Sequence, residues 1–133
     1  MKIISILFVA MLCFVSSVHA GQETPKEGIK SIIALFQAKD FDTLIRERYS
    51  EIYKAQAVGK VDELINRVTK RFSNQKRLAR SIQVFKRALD VEPEIMINPA
   101  PRETETDKMA SFNVQDGPVV IYLQKSGKWG IHM

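Results

Sequence analysis

The spacing of hydrophobic residues changes at Pro93, and no other feature of this chain constrains its fold as tightly. Upstream, apolar residues recur every three to four positions. Ile29, Ile32, Ile33 and Phe36 make one stripe, and Phe41, Leu44, Ile45, Tyr49 and Ile52 a second. Val61, Leu64, Ile65, Val68 and Phe72 make a third, and Leu78, Ile82, Phe85 and Leu89 a fourth. Each stripe predicts an amphipathic helix with one buried face. Downstream the period falls to two: Ala110, Phe112 and Val114 alternate with polar neighbours, as do Trp129, Ile131 and Met133. Period two predicts strands.

Local signals set the boundaries. Thr24-Pro25-Lys26-Glu27 reads as a capping box with proline at the first helical position. Asp40 can cap the second helix, and Ala57-Val58-Gly59 separates it from the third. Ser73-Asn74 offers a cap for a fourth helix, or for a bent continuation of the third; Pro93 ends it. Ile95-Met96-Ile97 is a short strand stopped by Asn98-Pro99-Ala100-Pro101, and residues 102–107 are a polar loop or exposed strand. Asp116-Gly117-Pro118 marks a turn, Val119 to Gln124 a β-rich strand, and Lys125-Ser126-Gly127-Lys128 a hairpin turn. Helices first and an antiparallel meander second predict an α+β domain, with N-terminal helices packed on a curved sheet formed by the C-terminal part.

The first twenty residues stand apart. A basic Met1-Lys2, an apolar run from Ile3 to Val15, and small residues at Val18 and Ala20 match the three parts of a secretory signal peptide. The run is short for a transmembrane helix. Leu12 before Cys13 is wrong for lipid attachment. Cleavage after Ala20 is expected, leaving residues 21–133 as one domain; an uncleaved anchor would leave the same domain outside the membrane. The leader carries away the one cysteine and one of two histidines. A cysteine-free exported chain of this size points to the periplasm.

Charge is unevenly placed. Between Leu64 and Leu89 lie Arg67, Lys70, Arg71, Lys76, Arg77, Arg80, Lys86 and Arg87, with no acid. Arg67, Lys70 and Arg71 lie off the apolar stripe of their helix, and Lys76, Arg77 and Arg80 crowd the start of the next. Cations there meet an end that is already positive. An anionic partner would relieve the repulsion: an acidic protein, or an envelope lipid or polymer. Export argues against nucleic acid. The competing reading is a solvated basic face balanced by the acidic remainder.

The opening helix, Lys39-Asp40-Phe41 leading into a second helix, and the final hairpin Val119-Val120-Ile121-Tyr122-Leu123-Gln124-Lys125-Ser126-Gly127-Lys128-Trp129-Gly130-Ile131 resemble the nuclear-transport-factor-2-like, cone-shaped superfamily, and most of all its small exported members. The resemblance implies helices on a cone-like sheet and a homodimer made through the sheet. The superfamily holds isomerases, dehydratases, cyclases and many binding proteins. Its enzymes place an acid–base residue inside the cone, and here no histidine lies in the helical half, so no catalytic residue carries over.

The chemistry-bearing residues point away from catalysis. His132 is next to the chain end, a poor place for a precisely held base. If the last strand alternates, it faces away from Trp129, Ile131 and Met133. One histidine and no cysteine cannot build the usual zinc set. Glu103, Glu105 and Asp107 alternate and could hold a hard cation, but a solvated polar edge is the favoured reading. Asp40, Asp42, Asp62 and Glu63 sit where capping and the helix dipole explain them. Tyr49, Tyr53, Phe85, Tyr122 and Trp129 are candidates to line a cone cavity, or to pack in the core. The expected function is therefore that of an exported, non-catalytic, cofactor-free binding protein, for instance an inhibitor or immunity-type protein, with the basic helical segment as its contact surface. The alternatives are a carrier of a small apolar or anionic ligand, and a cofactor-free isomerase or hydrolase.

Overall fold

The computed structural model describes residues 22–133. The expected leader and its cleavage site lie outside them. The fold is α+β: helices fill the first part and an open four-stranded antiparallel sheet the second.

Helix α1 spans Pro25–Gln37. Its capping box forms as the sequence predicts: the Thr24 hydroxyl accepts from the Glu27 N–H at 3.2 Å, and the Glu27 carboxylate accepts from the Thr24 N–H at 3.3 Å. The second stripe does not make one helix. A single turn, α2 (Phe41–Thr43, capped by Asp40), runs into a π-helical turn at Leu44–Arg48, and the chain then becomes extended at Tyr49. There it forms a parallel bridge with Ile131, and α3 (Ile52–Ala57) begins afterwards. The break is tertiary in origin: the Arg48 carbonyl accepts from the Ile131 N–H at 2.7 Å, a bond that a continuous helix would forbid. Gly59, at φ +67°, makes the turn into α4 (Val61–Phe72). Asn74 separates α4 from α5 (Gln75–Ala88), so the fourth helix is a distinct element and no continuation of the third.

Strands β1 (Glu94–Ile97), β2 (Glu105–Val114), β3 (Gly117–Gln124) and β4 (Trp129–Gly130) follow in spatial order β1-β2-β3-β4. Ala110 pairs with Ile121 and Phe112 with Val119, so their side chains share one face. Helix α5 packs on that face over β2 and β3, and α1 over β4. Phe36 lies at the centre of the core, edge-on to Phe72 at 5.1 Å and stacked on Phe85 at 5.7 Å. An irregularity in register between Glu105 and Met109 bends the start of β2.

The sheet's last edge is closed by two devices. Ile131 is bonded on both sides to the Arg48–Ser50 segment, its carbonyl accepting from the Ser50 N–H. The chain before α1 is held by Arg48, which is 5% exposed and donates two bonds to Glu23 at 2.5 and 2.7 Å. Trp129 then bonds Glu23 twice, its backbone N–H to the carboxylate and its indole N–H to the carbonyl. Among the described residues no helix is long and apolar enough to cross a membrane.

Candidate anionic-partner interface

Helices α4 and α5 are joined by only Ser73 and Asn74, so the C-terminal turn of one meets the N-terminal turn of the other at a single corner. Arg67, Lys70 and Arg71 on α4 and Lys76, Arg77 and Arg80 on α5 all lie within two turns of that junction along the chain, and all six are exposed. On α4 the arrangement suits the dipole, with Asp62 and Glu63 in the first turn and Lys70 and Arg71 in the last. On α5 it does not, because the first turn holds Lys76 and Arg77 and no acid. Asn74 compensates part of the cost: its side-chain oxygen accepts from the Lys76 and Arg77 N–H groups at 3.1 and 3.2 Å.

Several carboxylates are paired with other cations, and Glu63, one turn before Arg67 on α4, is in no ion pair among the described residues. Asp42 and Asp62 hold Arg46, Glu92 holds Lys26, Asp116 holds Arg87, and Glu51 holds Lys54. Among the described residues, none of the six corner cations forms an ion pair. All six flank the junction along the chain, and Arg87, paired with Asp116, leaves the free set.

The five aromatic candidates lie in different parts of the fold. Phe85 is locked in the core against Phe36. Tyr49 and Tyr53 are half-buried around the break between α2 and α3. Tyr122 lies on the sheet face opposite Leu123 and Trp129, as strand parity requires. Trp129 lines an open groove of about 810 Å³, together with Pro25, Ile95, Thr106, Lys108 and Leu123.

The acidic residues before β2 also part company. Glu103 and Asp107 are exposed, but Glu105 is buried, 3% exposed, which overturns its reading as a solvated edge residue. Its carboxylate accepts from the Arg102 N–H at 2.8 Å and from the Asn98 side-chain amide at 3.2 Å, and lies 2.6 Å from His132 Nε2. The His132 ring stacks on Tyr122 with centroids 3.8 Å apart, on the face away from Trp129 as alternation predicts. Burial pushes the Glu105 carboxyl up, but the Arg102 N–H and His132 outweigh it and hold the group below its ordinary value. Glu23 behaves alike: burial raises it, and the Arg48 and Trp129 bonds more than reverse this.

Sequence reasoning missed Glu105 because its burial depends on the Asn98 loop folding back. The one local signal was Asn98 before Pro99, whose side chain accepts from the Ala100 N–H in a tight turn. Neither Glu105 nor His132 lines either depression described in the molecule's surface. Among the described residues no cluster of histidine, cysteine, aspartate and glutamate could hold a metal ion.

No protein-family model matches the chain, and no curated protein and no solved structure matches it.

Proposed function

We propose that this is an exported, non-catalytic binding protein, on a frame like that of the nuclear-transport-factor-2-like superfamily, that docks the acidic surface of a protein partner through the α4–α5 corner. One observation supports the reading: six exposed cations flank one helix junction, within two turns of it on either side, with no carboxylate paired to any of them among the described residues. Uncompensated charge at a helix N-terminus costs stability. A partner's carboxylates would offset that cost and steer association.

The test is capture from an envelope extract with the immobilised chain, beside the variant Lys70→Glu/Arg71→Glu/Arg77→Glu/Arg80→Glu. The wild type should retain an acidic protein that raised salt releases, and the variant should lose at least tenfold of it. Equal retention by both, or no retention, contradicts the reading. Binding that is reproduced by vesicles of anionic lipid alone would move the partner from protein to membrane.

The groove over Leu123 and Trp129 favours a second reading, carriage of a small ligand with an apolar body and an anionic end. Ile95, Leu123 and Trp129 would take the body, and Lys108 and Lys125 the charge. Native mass spectrometry of the purified chain tests it: a copurified small molecule supports carriage, and a bare chain mass opposes it.

A further inference from the structure

The two edges of the sheet are treated differently. The β4 edge is covered by the Arg48–Ser50 segment through the bonds to Ile131. Among the described residues nothing pairs with the outer edge of β1, and it carries three consecutive exposed apolar residues: Ile95 at 54%, Met96 at 39% and Ile97 at 79%. Natural edges are commonly blunted by charge, proline or a bulge within the strand. Strand β1 is short and carries one charge, at Glu94, but Ile95, Met96 and Ile97 have no charge, proline or bulge among them; Pro93 and Pro99 only fence its ends.

The direction of the free backbone groups follows from the register. Glu94 pairs with Ser111, Met96 with Met109, and the Asn98 N–H donates to the Asp107 carbonyl at 2.6 Å. In an antiparallel ladder these even-numbered residues face β2 with both backbone groups. The N–H and C=O of Ile95 and Ile97 therefore point outward, away from the sheet.

We infer that β1 pairs with β1 of a second copy of this chain, edge to edge and antiparallel, across a two-fold axis at Met96. Outward-facing residues must oppose one another, and the register that uses both places Ile95 against Ile97 of the second copy, and the reverse. Each pair exchanges two backbone hydrogen bonds. The same register sets the two exposed isoleucines side by side on the helix-bearing face and stacks Met96 on its own mate on the other. Glu94 falls opposite Asn98 of the second copy, so no like charges meet. This self-complementarity selects a second copy over an unrelated strand, because an isologous contact needs each residue to suit its symmetry mate. A four-residue strand on each side is a small contact beside the roughly 1,200 Å² buried in stable complexes, so the dimer is weak and concentration-dependent.

Cysteine trapping in a Cys13→Ala background tests both the dimer and its register. At the two-fold axis the Met96 Cα atoms lie about 4.5 Å apart, within disulfide reach. The Ile97 Cα atoms lie about 8 Å apart, beyond it. Met96→Cys should give a covalent dimer under mild oxidation, and Ile97→Cys at least tenfold less. Separately, Ile97→Pro removes an outward N–H without touching the β1–β2 ladder, and should lower self-association in sedimentation at least tenfold while leaving the circular dichroism unchanged. A monomer up to millimolar concentration, equal trapping at both positions, or association untouched by Ile97→Pro would each overturn the pairing.

Discussion

Arg48 shows how much one buried side chain organises. Its guanidinium holds Glu23 and donates to the Trp129 carbonyl, tying the entry to α1, the π-helical turn and the last strand into one knot. Glu23→Ala leaves that charge buried and unpaired, and should destabilise the fold by about 3 kcal/mol in denaturant unfolding. Glu23→Ala combined with Arg48→Met should recover part of the loss. Acid should act through the same residues. Glu23 and Glu105 are both held below their ordinary values, so each binds protons more weakly folded than unfolded. Their stabilisation is complete above the unfolded carboxyl value of about 4.3 and disappears as pH falls through the lower folded values. Melting temperature should be level near neutrality and drop below about pH 4. Glu23→Gln and Glu105→Gln should each flatten that drop.

At the scale of elements, what was local in origin was legible in the sequence. Helices α1, α4 and α5 follow apolar stripes whose burial is decided within the helix, and their caps at Thr24 and Asn74 form as written. The alternation of Ala110, Phe112 and Val114 likewise names the face that α5 covers. Two elements were not legible because distant residues decide them. The helix expected through Tyr49 is broken by the pairing with Ile131, more than eighty positions away in the chain. Glu105 is buried by the Asn98 loop and by His132, which no period could announce. Gly28 shows a tight contact of the same distant kind: a Cβ there would lie 2.7 Å from the Trp129 Cβ. Gly28→Ala should therefore destabilise by about 1–3 kcal/mol through overpacking, although alanine favours helix. At the start of α5 the opposite holds. Lys76→Glu with Arg77→Glu should raise the melting temperature by a few degrees, because acids suit a helix N-terminus, while lowering partner capture. A variant that gains stability and loses binding separates a contact surface from a merely structural charge pattern.

Over the whole molecule, three surface features stand out, two of which share Ile95. The helix-bearing side carries the cationic corner at the α4–α5 junction, the mouth of the sheet carries the groove beside Trp129, and the β1 edge carries the exposed apolar strand. The corner and the edge belong to different layers, so a dimer joined at β1 would present two basic corners at once and bind a multivalent acidic partner with raised avidity. The proposed seat of the partner at the α4–α5 corner is tested most directly by site-specific photocrosslinking in the cells that make the protein. A photoreactive residue in place of Arg71 or Arg77 should form a covalent adduct with an acidic protein, and the same residue in place of exposed Glu103 should not. Adducts of equal yield from Glu103, or none from either corner position, would contradict the account.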